Sequence, residues 1–271
     1  MDEIIDAKRY QAKKSLGQNF LKSKKVIAEM IMAAEIKEGE TVLEIGPGLG
    51  VLTEALLYAG AKVVAVEKDR DLIKILREKF APEIVSEQLD LVEGDIEKWQ
   101  PEINGLKAGN YKLVANIPYY LTGLIMRKFL SGSCQPAVME VLIQKEVAQR
   151  IMARDGKESL LSLSVKVYGE AKIVTQVDKE NFSPQPKVDS AVLLIKNISK
   201  VFFKNVAEVN FFKLLKIGFA HKRKTLAGNL KNEFASEQVQ TVFSHLQLTG
   251  KERAEDLTLN LWLQICFGLF Q

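Results

Sequence analysis

The stretch TVLEIGPGLGVLTEALLYAG (residues 41–60) decides the fold. It begins as a short β-rich run, passes through glycines at 46, 48 and 50, and continues with apolar residues at helical spacing that stop at Gly60. A strand that turns through glycines directly into a helix builds a ligand-binding corner. The glycines let the backbone approach a ligand closely, and the helix N-terminus offers unpaired N–H groups. A dinucleotide fold carries GxGxxG at this corner, whereas here the sixth position is Val51.

Outward from this corner, AKVVAVEKD (61–69), LDLVEGDI (89–96), YKLVAN (111–116) and AVMEVLIQ (137–144) are further β-rich runs. DLIKILREKF (71–80), LTGLIMRKFL (121–130) and KEVAQRIMAR (145–154) carry apolar residues at helical spacing. Strands alternating with helices predict a parallel sheet covered on both faces. The pattern then changes. SLSVKVYG (162–169), AKIVTQV (171–177) and VDSAVLLIK (188–196) read as three strands without helices between them, expected to close the sheet with antiparallel edges. Beyond residue 200, FFKLLKIGFAHKRKTLAGNL (211–230), SEQVQTVFSHLQL (236–248) and TLNLWLQICFGLF (258–270) read as helices. The expected organisation is an N-terminal arm (1–25), a catalytic domain (26–200) and a small all-helical C-terminal domain (201–271).

Two acids stand at the ends of consecutive strands. Glu67 closes the second strand, where a carboxylate accepts hydrogen bonds from both ribose hydroxyls and disfavours a 2′-phosphate. Asp95 follows the third, where it can accept from an adenine amino group while Ile96 packs on the base. Either acid alone could be a helix cap or a turn residue. As a set with Gly46 and Gly48, they suit an adenosyl ligand without a pyrophosphate, namely S-adenosylmethionine. The fold class expected is therefore α/β, a Rossmann-like methyltransferase sheet, mostly parallel with an antiparallel edge.

The fourth strand ends in NIPYY (116–120). The lone pair of an aromatic amine is delocalised into its ring, so the amine is a poor nucleophile. Two acceptors on its protons can favour a pyramidal nitrogen with the lone pair freed. The Asn116 side-chain oxygen can be one and the Ile117 carbonyl the other, with Pro118 fixing the chain beyond it. Tyr119 then offers a face on which a base stacks. Tyr120 has no chemical assignment and is expected to pack. Phe182 precedes SPQP on what reads as a loop, where Pro184 and Pro186 would hold its ring out for stacking.

The net charge of +4 is mild, but its distribution is not. AKRYQAKKSLGQNFLKSKK (7–25) holds seven Lys or Arg, including Lys13 and Lys14, and no acid. HKRKT (221–225) adds Lys222, Arg223 and Lys224. Either could be a solvated face, and together they predict a polyanionic partner. The chain has two cysteines without metal-ligand or redox spacing and two histidines. No metal site, no membrane segment, reduced thiols and a cytoplasmic location are expected, and nothing points to an obligate oligomer, so a monomer is expected.

Together SLGQNFL (15–21), LEIGPGLGVLT (43–53), VVAVEKD (63–69), VEGD (92–95), VANIPYYLT (114–122), NFSPQPKVDSAV (181–192), HKRKTL (221–226) and RAEDL (253–257) resemble the KsgA-type small-subunit ribosomal RNA adenine dimethyltransferases over almost the whole chain. The Erm-type large-subunit rRNA adenine methyltransferases share the N-x-P-[YF] turn. The resemblance implies that Asn19 and Leu21 touch the cofactor near its methionine end and that Gly46 lies against the methionine. It implies that Glu67 holds the ribose, that Asp95 holds the adenine, and that Asn116 meets both cofactor and target amine. Tyr119 and Phe182 would sandwich the target adenine. These positions keep the pattern; Ile117 stands where relatives vary among aliphatic residues, and the acidic start MDEIID reads as a disordered extension. The implied substrate is a pair of adjacent adenosines in the 3′-terminal hairpin loop of small-subunit rRNA, dimethylated during ribosome biogenesis on the immature subunit. Three alternatives compete: an Erm-type enzyme, an NAD-linked dehydrogenase, and a non-catalytic RNA-binding assembly factor. The dehydrogenase predicts GxGxxG with a catalytic His or Tyr–Lys pair, and the assembly factor predicts loss of Asn116 or Tyr119.

Overall fold

The structure is a computed structural model and describes residues 10–270; the MDEIID extension and the first three residues of the basic run lie outside the described residues. The chain opens with β1 (Phe20–Leu21), α1 (Lys24–Ala33), β2 (Thr41–Ile45), α2 (Val51–Tyr58), β3 (Lys62–Glu67), α3 (Arg70–Lys79), α4 (Ala81–Val85) and β4 (Leu89–Glu93). It continues through β5 (Tyr111–Asn116), α5 (Thr122–Ser131), β6 (Val138–Gln144), α6 (Lys145–Met152), α7 (Leu160–Lys166), β7 (Glu170–Val177), β8 (Phe182–Ser183) and β9 (Ser190–Lys196). It closes with α8 (Glu208–Gly218), α9 (Leu226–Leu230), α10 (Ser236–His245) and α11 (Leu259–Leu269).

Seven strands form one sheet in the order β4-β3-β2-β5-β6-β9-β7. β2 pairs in parallel with β3 and β5, as do β3 with β4 and β5 with β6, whereas β9 runs antiparallel to β6. The central strands are apolar on both faces because helices cover both: Val42, Leu43, Leu113, Val114, Val141 and Leu142 are all buried. β8 leaves this sheet and pairs antiparallel with β1, Phe20 opposite Ser183 and Leu21 opposite Phe182. That two-strand ribbon ties the N-terminal arm to a loop some 160 residues later.

Compactness divides the chain into two units. One holds the described residues up to Ala148 with Lys172–Ile198, and the other Gln149–Ala171 with the chain from Ser199 onward. Residues 149–171 thus belong with the C-terminal helices, although the sequence boundary near 200 assigned them to the sheet domain. The alternating SLSVKVYG, read as a strand, is mostly helix α7. Ser159 caps its N-terminus in a reciprocal capping box with Ser162, and Ser162, Leu163 and Val165 form its buried side. HKRKT does not lie on a helix either. α8 ends at Gly218, and the basic residues occupy a turn before Thr225, whose side chain caps α9 by accepting from the Gly228 N–H.

In the C-terminal unit, α8, α9, α10 and α11 bury Phe211, Leu214, Leu226, Val239 and Trp262. Trp262 stacks on Phe219 with ring centroids 5.5 Å apart. Among the described residues no helix is long and apolar enough to cross a membrane.

Candidate active site

A cleft of about 770 Å³, counting the solvent at its mouth, opens at the carboxyl ends of β2, β3, β4 and β5. The position is where open α/β sheets bind ligands. The glycine loop between β2 and α2 forms one wall. Gly46, Gly48 and Gly50 have φ of +65°, +60° and +74°. A Cβ on Gly48 would stand 2.8 Å from the Phe20 ring, and one on Gly50 would stand 2.5 Å from Phe80, so a side chain at either position would force those rings to shift and strain a left-handed backbone. At Gly46 a Cβ would meet nothing within 4 Å, leaving the backbone open to the cleft.

Glu67 ends β3 and is only 6% exposed. Its carboxylate accepts from the backbone N–H of Gly48 (3.2 Å) and of Asp69 (2.9 Å). Burial pushes its pKa up, and those N–H groups oppose the rise. Asp95 lies 2.8 Å from the Lys68 ammonium, which holds its carboxyl below the ordinary range. Ile96 is buried in the cleft wall beside it. Two carboxylates at neighbouring strand ends, an open glycine backbone and apolar walls from Val66, Leu72 and Ile96 match the hydroxyls, amine and base of an adenosyl ligand.

Asn116, Ile117, Pro118 and Tyr119 line the same cleft. Asn116 is the last residue of β5, and its Nδ2 donates to the Asn19 carbonyl (3.0 Å). Because that carbonyl can only accept, the nitrogen end of the amide is fixed toward it. Oδ1 is left without a partner among the described residues. The Pro118 carbonyl accepts from the Leu121 N–H (2.9 Å), so the turn's own hydrogen bond leaves the Ile117 carbonyl aside. The Tyr119 hydroxyl is 2.8 Å from Ser190 Oγ, and the Tyr119 carbonyl accepts from Thr122 Oγ1 (2.9 Å). The first bond pins the ring and the second fixes the backbone of the turn. Burial pushes the Tyr119 pKa up, against the pull of the Ser190 bond.

Three elements of the site escaped the residue-by-residue reading. The arm roofs the cleft with Leu16, Gly17, Gln18 and Phe20 as well as Asn19. Ser190, which pins Tyr119, sits inside the quoted PKVDSAV run and was the available signal. Lys68, the partner of Asp95, follows Glu67 directly. Tyr120, expected to pack, is instead 58% exposed at the cleft mouth, its ring 3.3 Å from where a Cβ on Gly17 would be.

Two expected site residues lie elsewhere. Leu21 is 6% exposed and Phe182 only 2%, both within the hydrophobic core with Val26, Ile27 and Val192. The pairing of Leu21 with Phe182 across the β1–β8 ribbon turns both side chains inward, so Phe182 presents no open face for stacking. Of the basic residues, Lys13 is committed to Asp69 and Asp71, each at 2.7 Å. Lys14 is exposed on the arm, and Lys222, Arg223 and Lys224 are all exposed on the C-terminal turn. Cys134 and Cys266 are free and buried. Among the described residues no group of three His, Cys, Asp or Glu could hold a metal ion.

Comparison with known proteins bears on the family and the fold. The sequence model described as "Ribosomal RNA adenine dimethylase" matches residues 9–269. A ribosomal RNA small subunit methyltransferase A from Dehalococcoides mccartyi is 40% identical over 268 residues, 97% of this chain and 90% of that protein. A protein of the same name from Synechococcus elongatus is 38% identical over 270 residues, 95% of each. Among solved structures, a dimethyladenosine transferase from Plasmodium falciparum superposes with a TM-score of 0.77 at 28% identity, covering 91% of this chain and 95% of that one. The 23S rRNA methyltransferase ErmE superposes with a TM-score of 0.74 at 25% identity, covering 93% and 100%.

Proposed function

The chain belongs to the ribosomal RNA adenine dimethylase family, and we propose on that premise that it is an rRNA adenine N6,N6-dimethyltransferase of the small subunit. It transfers methyl groups from S-adenosylmethionine to the exocyclic amines of two adjacent adenosines in the 3′-terminal hairpin loop during ribosome biogenesis. The observation that carries the reading is the meeting, in one cleft, of Glu67 and Asp95 with the NIPY turn.

The cofactor would supply an electrophilic methyl group. Glu67 would hold its ribose hydroxyls, and Asp95, on leaving Lys68, its adenine amine. Gly46 and Gly48 would let the backbone approach its amino-acid end, with the Asn19 segment above. Asn116 Oδ1 and the Ile117 carbonyl would accept the two protons of the target amine and favour the pyramidal nitrogen that attacks. Tyr119, pinned by Ser190, would stack on the target ring. Loop adenosines are unpaired or nearly so, so turning one into the cleft costs little. Lys14, Lys222, Arg223 and Lys224 would meet phosphates of the immature subunit, and the enzyme would act as a monomer in the cytoplasm.

The test is transfer of labelled methyl groups to small subunits that lack the modification, with large subunits in parallel. Label on two adjacent small-subunit adenosines is the expected result. Label on large-subunit RNA would assign the chain to the Erm type, and binding without transfer would make it a non-catalytic assembly factor.

A further inference from the structure

Asp69 is 2% exposed and caps α3 by accepting from the Asp71 N–H (3.0 Å). A helix cap needs no more than that. Three further donors nonetheless converge on the same carboxylate, all from the arm: the Tyr10 hydroxyl (2.6 Å), Lys13 Nζ (2.7 Å) and Gln18 Nε2 (3.1 Å). Gln18 is locked from its other end as well, its Oε1 accepting from the Lys13 backbone N–H (2.7 Å). The next residue is Asn19, whose carbonyl takes the Asn116 Nδ2 proton at 3.0 Å. Asn19 is braced in turn by its own Nδ2 bond to the Gly17 carbonyl (3.2 Å). An unbroken path therefore runs from a buried carboxylate outside the cleft lining, through Gln18, to the amide that meets the substrate.

The path matters because a primary amide has two nearly isosteric ends of opposite character. One accepts and the other donates. With the Asn19 carbonyl in place, Oδ1 must face away from the arm. Without it, nothing fixes the amide, and a turned amide would present N–H groups to an amine that also carries N–H groups.

We propose that Asp69 is a positioning residue for methyl transfer: by anchoring the arm through Tyr10, Lys13 and Gln18, it sets the Asn19 carbonyl that orients the Asn116 amide. The proposal rests on the reading of Asn116 as an acceptor for the target amine. It assigns Tyr10, Lys13 and Gln18 to one device that latches the arm, and it accounts for Lys13 being spent on acids when neighbouring Lys14 is exposed.

Asp69→Asn keeps a side chain able to cap α3 while weakening the latch, and Tyr10→Phe with Gln18→Ala removes two latch donors without touching the cap. Each variant is measured with Asn116 intact and with Asn116→Ala, under single turnover. With Asn116 intact, the maximal transfer rate should fall about tenfold, part of the hundredfold scale of losing a preorganised acceptor. With Asn116→Ala the same substitutions should change the remaining rate less than about twofold, since coupled residues are not additive. Equal losses in both backgrounds would mean that the latch serves the fold or cofactor binding, and no loss in either would mean that it serves nothing here; both overturn the proposal. The Asn116 side-chain N–H resonances, identified by their absence in Asn116→Ala, give a readout independent of activity. They should move toward values of a free amide in the latch variants, and unmoved signals would also overturn the proposal. A wild-type protein that transfers no methyl group would instead overturn the functional reading, while these resonances would still report on the latch.

Discussion

At the scale of single residues, the chemistry turns on which atoms of the NIPY turn face the cleft. Asn116→Ala removes one acceptor from a strand end whose backbone pairs with Leu142 of β6. Transfer should fall by about a hundredfold or more, with the melting temperature nearly unchanged. A turnover close to wild type would remove Asn116 from the mechanism. Ser190→Ala removes a bond worth about 1 kcal/mol that pins the Tyr119 ring. A few-fold rise in KM for RNA is expected, with kcat little changed. Glu67, Asp95, Asn116 and Tyr119 were legible in the sequence because each closes or follows a strand, and strand ends meet at one edge of a parallel sheet. Leu21 and Phe182 were not, because their burial follows from a two-residue pairing between segments far apart in the chain. Lys13 was misleading for a similar reason. A run of lysines without local acids reads as free charge until the fold brings Asp69 and Asp71 against it.

Elements were legible where period and punctuation agreed. The glycine corner, the amphipathic α3 and the doubly buried β5 all follow from local pattern. α7 was read as a strand because serine and apolar residues alternate through it, and the alternation outweighed a Ser159–Ser162 box three residues apart. The basic turn was merged into one long helix because the apolar spacing resumes after it, although Gly218 and Thr225 mark its two ends. Gly218 also lets α8 pack closely on α11, since a Cβ there would lie 2.3 Å from the fully buried Trp262 ring. Gly218→Ala should therefore destabilise the protein by about 1–3 kcal/mol, the range for overpacking a core. Chemical denaturation measures this directly, and an unchanged midpoint would show that α8 and α11 can separate at no cost.

At the scale of the whole molecule, buried charge and surface charge make different demands. Glu140 on β6 is fully buried, and neither carboxylate oxygen has a partner among the described residues. Burial pushes its pKa up to about 9 from an ordinary 4.5, and burial likewise lifts Glu44 to about 8. Between pH 4.5 and 9 the folded protein keeps a proton at Glu140 that the unfolded chain releases. Stability therefore falls as pH rises through that window, by at most about 1.4 kcal/mol per unit from this group. Glu140→Gln should be the more stable form at pH 8, with the gap to wild type shrinking toward pH 5. Parallel stability curves for the two proteins would contradict the assignment. On the surface, replacing Lys222, Arg223 and Lys224 by Ala should weaken rRNA binding and flatten its salt dependence, each lost phosphate contact lowering the log–log slope by about 0.7–0.9. An unchanged slope would mean that this turn does not meet phosphate. The central claim is that this cleft dimethylates adenosine in small-subunit rRNA. Its most direct test is mass mapping of rRNA after incubating undermethylated small subunits with the protein and isotope-labelled S-adenosylmethionine. The account predicts two labelled methyl groups on each of two adjacent adenosines in the 3′-terminal hairpin loop, and label elsewhere or none at all would contradict it.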